Sequence, residues 1–406
     1  MASPVAFTHD FPFDPAHGYT ALDQLLQVPA PPAPEDFEAF WRERYARARA
    51  VATRPVLGPV EEERDGVRIH SVTYTSVGGV RLGGWFALPA EGPVGCGFVI
   101  GHGYGGRQDP GRDLPPPLPG AAAILPCVRG MGERGRVDGI PDLADEHVLY
   151  GIGSRDAYVI GECVADLWCA ASALLEVVPE LAGAGVDASA GAGAGAVSGG
   201  VPDAAGVPAA GGGRLDAGAD AAGGGGLDAV GAPAGGRRPD VVGAPAGGRR
   251  PGGPRLGYLG ESFGGGLGAL ALPWDDRFGA AQLTVPTFGN HPLRLTLPCT
   301  GSGEAVRAYH RELPEVADVL RYFDAATAAT RLELPTLVAA ALFDPAVPPP
   351  GQFAVYNALA GERELQVLSA GHFPYRGMVA ETAELDAGRT AFFARHLGRG
   401  VASADG

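Results

Sequence analysis

The chain has 406 residues, 46% of them hydrophobic and 19% charged, which is enough for one large α/β domain with added segments. The formal net charge of −15 disfavours binding to nucleic acid, and all 31 basic residues are arginine, so no lysine amine is present for Schiff-base, pyridoxal or P-loop chemistry. The sequence has no run of 18 apolar residues, no basic-then-apolar leader and no Cys-x-x-Cys pair among its five cysteines, so we expect a cytoplasmic protein without a membrane span, disulfide framework or zinc clip.

Apolar periodicity along the chain predicts strands that alternate with helices. A Pro-rich opening leads into an amphipathic helix within 30–53, an N-terminal helical extension, and a second helical pattern fills 155–178. Strand patterns occupy 67–75 and 80–88, separated as in a hairpin by two glycines, and then 97–101, 121–128, 255–260, 281–285, 336–342 and 364–369. The alternation indicates an α/β fold with a mostly parallel central sheet flanked by helices.

A low-complexity stretch at 182–254 interrupts this pattern. It has no aromatic residue and no isoleucine, and residues 229–240 are followed by a near-copy at 241–252. Such a composition buries too little apolar area to offset the entropy of ordering it. We therefore predict a disordered Gly/Ala-rich insertion in a surface loop of a single domain spanning 1–406, with a flexible lid or binding tail as the alternative.

Ser262 lies in the only Gly-x-Ser-x-Gly sequence of the chain, at 260–264. A nucleophilic serine needs a sharp strand-to-helix turn, and the flanking glycines permit that strained geometry. The context agrees, because 256–259 is strand-like and 265–272 is small and apolar, as suits a buried helix. The alternative is a chance match in a chain with 65 glycines.

Asp344 and His372 each follow a predicted strand, at 336–342 and 364–369. Catalytic loops lie at the carboxyl ends of strands in open α/β sheets. The chain order of serine, then acid, then histidine is that of α/β-hydrolases, so we predict that fold and a serine esterase triad. Taken singly, Asp344 could be a turn residue before Pro345, and His372 a surface loop residue.

The loop 102–105, His-Gly-Tyr-Gly, directly follows the strand 97–101. In α/β-hydrolases the loop after an early strand supplies one backbone N–H of the oxyanion hole, and the residue after the nucleophile, here Phe263, supplies the other. His102 itself could be structural or catalytic. Arg129, in a Gly-rich turn after the strand 121–128, is interpreted as a salt-bridged structural arginine.

Further motifs accompany the predicted triad. They are Pro34-Glu35-Asp36-Phe37 with Phe40-Trp41, His102-Gly103-Tyr104, Arg129-Gly130-Met131-Gly132, Leu320-Arg321-Tyr322-Phe323-Asp324, 344–349 and 352–357. Together they resemble the acetyl xylan esterase and cephalosporin C deacetylase family, carbohydrate esterases of the α/β-hydrolase superfamily. The resemblance covers nearly the whole chain except 182–254.

The resemblance implies triad roles for Ser262, Asp344 and His372, and oxyanion N–H groups from Tyr104 and Phe263, with Tyr104 also contacting substrate. It implies small-molecule substrates, short acetylated sugars and related acetyl esters, hydrolysed through an acyl-enzyme without metal or organic cofactor. Family members form ring-like hexamers, so a homo-oligomer is expected.

Two residues depart from the family pattern. Phe373 replaces the glutamate that follows the family's histidine, and Met131 replaces the glutamine of its Arg-Gly-Gln-Gly motif. Neither belongs to the triad, but both remove a polar group that could organise loops or the oligomer. Two alternatives stay open at this point, a peptidase of the same superfamily and a non-catalytic binding protein on a hydrolase scaffold.

Overall fold

The computed structural model describes residues 7–182 and 255–398. Apart from Ala182, the predicted insertion at 182–254 lies outside the described residues. Across these two ranges a nine-stranded sheet has the strand order β1-β2-β3-β5-β4-β6-β7-β8-β9. The strands are β1 (Val56–Arg64), β2 (Val67–Thr75), β3 (Arg81–Pro89), β4 (Cys96–Ile100), β5 (Ala121–Pro126), β6 (Leu256–Glu261), β7 (Phe278–Thr284), β8 (Thr336–Ala341) and β9 (Arg363–Leu368).

The sheet is antiparallel at one side and parallel over the rest. Strands β1, β2, β3 and β5 pair antiparallel, whereas β5, β4, β6, β7, β8 and β9 pair parallel in that order. The prediction of a mostly parallel sheet and of the hairpin β2–β3 is confirmed. Because parallel strands point the same way, the loops that follow β4, β6, β8 and β9 gather at one edge of the sheet.

Helices cover both faces of the sheet. They are α1 (Leu22–Leu25), α2 (Phe37–Arg49), α3 (Ala144–His147), α4 (Val159–Val177), α5 (Phe263–Ala271), α6 (His291–Arg294), α7 (Ser302–Glu312), α8 (Val316–Leu320), α9 (Ala325–Ala329), α10 (Pro349–Ala358) and α11 (Met378–Leu397). The larger hydrophobic cluster holds Trp41 of α2, Trp168 of α4 and Leu267 of α5. A second cluster joins β4 to the end of α11, where Phe98 meets Phe393 edge to face. Helix α4 is buried on nearly every side, as its largely apolar sequence requires.

Some element bounds differ from the sequence prediction. The helix predicted at 155–178 begins only at Val159, because residues 151–157 form turns. Strand β7 begins at Phe278 instead of residue 281. Strand β1 had no prediction at all, since it is an edge strand with a run of exposed glutamates and therefore lacks apolar alternation.

Candidate active site

Ser262 occupies the sharp turn between β6 and α5. Its backbone has φ 55 and ψ −110, a left-handed conformation that costs a non-glycine residue energy. Hydrogen bonds hold the turn: Ser262 N donates to Thr284 O at 2.8 Å, and Gly266 N donates to Ser262 O at 3.0 Å. A Cβ at Gly264 would lie 2.9 Å from His102 O, so a glycine is needed where α5 approaches the loop after β4. The strand–turn–helix geometry presents the Ser262 hydroxyl at the sheet edge.

The loops after β8 and β9 bring Asp344 and His372 to the same place. His372 Nε2 lies 2.9 Å from Ser262 Oγ, and His372 Nδ1 lies 2.8 Å from Asp344 Oδ2 and 3.0 Å from Oδ1. The three residues that the sequence singled out, separated by up to 110 positions, form one hydrogen-bonded chain. Their catalytic roles stay predictions, which the geometry fits.

Asp344 is fully buried, and donors surround its carboxylate. Oδ1 accepts hydrogen bonds from Ala346 N and Val347 N, each at 2.9 Å, so Asp344 also caps the turn that follows it. Oδ2 accepts from Gln352 Nε2 at 3.0 Å. The Gln352 amide is itself oriented, because its Oε1 accepts from Ala341 N at 2.8 Å and its Nε2 also donates to Val347 O. The Asp344 side chain therefore caps the turn and also lies within hydrogen-bond distance of His372, so the two interpretations from the sequence are compatible.

The environment of His372 favours its charged form. Burial lowers the pKa of His372, but the hydrogen bond to Asp344 and the charges of Asp344 and Glu261 raise it, and the net pKa is above the ordinary 6.5. A neutral imidazole with its proton on Nδ1 can donate to Asp344 and accept the Ser262 proton at Nε2. Glu381, by contrast, has partners other than His372, because its carboxylate accepts from Ser369 N and Tyr375 OH.

Phe263 and Tyr104 are the two residues predicted to supply oxyanion N–H groups. Phe263 is the first residue of α5, and Tyr104 lies in the loop after β4, with the two rings tilted by 30° at a centroid distance of 4.0 Å. Within the described residues neither N–H donates to a protein acceptor. His102 is structural here: Val128 N donates to its Nε2 at 3.1 Å, and burial lowers the pKa of His102 to about 4.

Arg129 is the salt-bridged structural arginine that the sequence predicted. Its guanidinium lies 2.6 Å from the buried Asp166 Oδ1 and 3.0 Å from Glu162 Oε2. Met131, one of the two departures from the family pattern, is fully buried in the larger core cluster. An apolar side chain suits that position, so the replacement of glutamine follows from packing.

Phe373 contacts an N-terminal segment that the sequence analysis did not single out. We call residues 7–17 the N-terminal arm. Phe373 packs against Phe7 and Phe11 of the arm and against Phe343, with ring centroids 5.1–6.1 Å apart. The arm also reaches the acid loop, since Asp344 N donates to Pro15 O at 3.3 Å. Phe373 thus makes an aromatic contact beside the predicted triad where the family has a polar group. The alternating aromatic residues of the arm are the sequence pattern that could have predicted this contact.

One group of three potential metal ligands occurs within the described ranges of the chain. Glu362, Glu364 and His396 have ligand atoms within 4.8 Å of one another. Glu362 and Glu364 lie at the start of β9 and His396 lies near the end of α11, whereas His372 follows the end of β9, so the group belongs to the opposite end of that strand. The Ser262 site itself consists of groups that suit acyl transfer.

Solved structures of other proteins have the same fold. An acetyl xylan esterase from a Paenibacillus species superimposes with a TM-score of 0.64 at 19% identity, covering 92% of this chain and 99% of that one. Acetyl xylan esterase 1 from a Thermoanaerobacterium species gives 0.62 at 19% identity, covering 91% and 99%. An acylaminoacyl peptidase from Pyrococcus horikoshii gives 0.51 at 14% identity and covers 84% of this chain and 44% of that one.

The fold is therefore that of the α/β-hydrolases, as predicted, and the protein is a serine carboxylic-ester hydrolase. Residues 20–201 and 253–386 match the acetyl xylan esterase family. The chain belongs to this family, and its activity is the hydrolysis of acetyl esters. No helix of the described residues is long and apolar enough to cross a membrane.

Proposed function

We propose that the protein removes acetyl groups from short acetylated sugars and related small esters, with Ser262 as nucleophile, His372 as base and Asp344 as the acid that orients the base. The observation that carries the proposal is the continuous hydrogen-bonded chain from Ser262 Oγ through both nitrogens of His372 to the buried Asp344 carboxylate. Membership of the acetyl xylan esterase family supports the acetyl ester as substrate.

The proposed reaction has two halves. His372 Nε2 takes the Ser262 proton as Oγ attacks the ester carbonyl, and the N–H groups of Tyr104 and Phe263 stabilise the oxyanion. The imidazolium, stabilised by Asp344, then protonates the leaving alcohol, and an acetyl-enzyme forms. A water molecule, deprotonated by His372, hydrolyses this intermediate and releases acetate. The proton of Ser262 leaves with the alcohol, and His372 passes the proton taken from water to Ser262 Oγ, so the free enzyme is restored with water as the only co-reactant.

The test replaces the nucleophile and varies the acyl chain. Ser262→Ala should lower kcat on p-nitrophenyl acetate by about 10⁴–10⁶, whereas Ser302→Ala, at the start of α7, should leave it unchanged. The wild-type enzyme should prefer acetyl over butyryl and octanoyl esters and leave a peptide amide intact. A Ser262→Ala variant that keeps more than about a tenth of kcat would refute the nucleophile, and faster cleavage of the amide would favour a peptidase.

A further inference from the structure

Buried arginines in the described chain are paired, with one exception. Arg44 pairs with Glu162, Arg107 with Asp113, Arg129 with Asp166 and Arg277 with Asp275. Arg294, at the end of α6, is only 9% exposed, yet its guanidinium forms no hydrogen bond or ion pair with any residue of 7–182 or 255–398. Its Nε is fully buried, with no acceptor in the part of the chain that the structure describes. A buried charge without a partner is costly, so this guanidinium is suited to an anion that the described chain does not provide.

Neutral groups surround the Arg294 side chain. Its charge acts on Tyr104, Tyr158, His291 and Cys299. Burial raises the pKa of both phenols and of the Cys299 thiol and lowers the pKa of His291 to about 3, so none of the four is charged near pH 7. Two carboxylates act on Cys299, but Glu304 pairs with Arg307 at 2.7 Å and Asp344 binds His372. No carboxylate of the described residues thus forms an ion pair with the Arg294 guanidinium.

One neighbour of the Arg294 guanidinium is the loop that holds Asp344. A Cβ at Gly303 would lie 2.9 Å from Arg294 Nη2 and 3.5 Å from Ala346 O, which places the Arg294 guanidinium beside the acid loop. The charge of Arg294 also acts on Tyr104, whose hydroxyl is buried without a partner among the described residues and whose ring centroid lies 4.0 Å from that of Phe263, the neighbour of Ser262. Among the described residues, Arg294 Nε and the Tyr104 hydroxyl are thus two donors without a partner, and Tyr104 belongs to the loop predicted to supply an oxyanion N–H.

We propose that Arg294 and Tyr104 bind a carboxylate carried by the ester substrate. A guanidinium presents parallel N–H donors that match the two oxygens of a carboxylate, and a phenol hydroxyl can donate to the same group. The inference rests on the proposed function and narrows its substrate class to esters with an anionic group near the scissile bond. The carboxylate can belong to the acyl side or to the alcohol side of the ester.

Matched substrate pairs distinguish these two sources. The acyl pair is mono(p-nitrophenyl) succinate and p-nitrophenyl pentanoate, and the alcohol pair is para-acetoxybenzoate and its methyl ester. The wild-type enzyme should favour the anion in one pair, and Arg294→Met should lower kcat/KM for that anion by about 10- to 100-fold while changing its neutral partner less than about threefold. Arg294→Lys should lose less, and Arg311→Met, at an exposed arginine, should change neither. Preference for the anion in neither pair, or equal losses on both members, would overturn the proposal.

Binding without turnover separates this proposal from the proposed function. The product anion of the favoured pair, succinate or para-hydroxybenzoate, should at millimolar concentration raise the Tm of the wild type and of Ser262→Ala, but not of Arg294→Met. Without ligand, Arg294→Met should have a Tm at or above that of the wild type, because an unpaired buried charge is removed. A Ser262→Ala variant that stays active would refute the proposed nucleophile and leave an Arg294-dependent Tm shift standing. Equal shifts in Arg294→Met, or a Tm several degrees below the wild type, would overturn the carboxylate site.

Discussion

Asp344→Asn should abolish turnover without unfolding the protein. Asp344 Oδ1 accepts from Ala346 N and Val347 N, so the amide oxygen of asparagine must take that position. The NH₂ group then takes the position of Oδ2, 2.8 Å from His372 Nδ1 and 3.0 Å from Gln352 Nε2. Gln352 cannot relieve the conflict by rotating its amide, because its Oε1 is held by Ala341 N. Donors would therefore face donors.

The imidazole can relieve this conflict in one way, and it is unproductive. His372 would place its proton on Nε2 and accept with Nδ1, so that Nε2, 2.9 Å from Ser262 Oγ, could no longer take the serine proton. Loss of the correct tautomer lowers kcat by about 10⁴ in triad enzymes. The remaining clash with Gln352 should cost about 1–3 kcal/mol of stability, which lowers Tm by several degrees and leaves the fold intact.

The assay is kcat on p-nitrophenyl acetate near pH 8, beside circular dichroism and Tm. Asp386→Asn is the matched control, since this aspartate is 56% exposed and bridges only Arg389. The control should keep full activity. If Asp344→Asn retained more than about a tenth of kcat while His372→Ala retained almost none, Asp344 would not be the orienting acid.

Three further outcomes are expected. Activity should depend on neutral His372, so kcat/KM should fall as the pH drops through the pKa of His372. The midpoint should lie above 6.5, because the effects of Asp344 and Glu261 on this pKa outweigh that of burial. A flat profile from about pH 5 to 8 would contradict His372 as the base. Gly371→Ala should lower kcat by at least about 10², since the added Cβ would overlap Asp344 Oδ2 and lie 3.1 Å from Asp344 Cγ. Gly153→Ala is the control, because a Cβ added there meets nothing within 4 Å, and its kcat should equal that of the wild type. Similar kcat values for both variants would contradict the prediction. Phe373→Glu should lower Tm by several degrees, because it places a charge against the rings of Phe7 and Phe343 at a half-buried position, whereas Phe373→Leu should lower it less. Unchanged Tm in the glutamate variant would show that the N-terminal arm does not need this contact.

Local sequence patterns were sufficient to predict those elements whose own residues determine their structure. Strands β4 and β8 are short apolar runs, and a buried parallel strand needs no more than that, so both were predicted within a residue or two. The edge strand β1 failed for the opposite reason, since its polar, exposed residues are specified by pairing with β2 and not by their own sequence. Strand β1 forms because it pairs with β2, and the apolar periodicity of its own residues gives no information about that pairing.

The sequence by itself determined the fold class, the position of Ser262 on a strand–turn–helix and the order of the three predicted triad residues. These features depend on neighbouring residues or on chain order, which a sequence records directly. Only the tertiary structure decided that Gln352 binds the Asp344 carboxylate, that Phe373 packs on the N-terminal arm and that Arg294 is buried without a partner among the described residues. Each of these features depends on contacts between side chains from different elements. Burial, hydrogen bonding and charge compensation are defined only once the folded chain has brought those elements together.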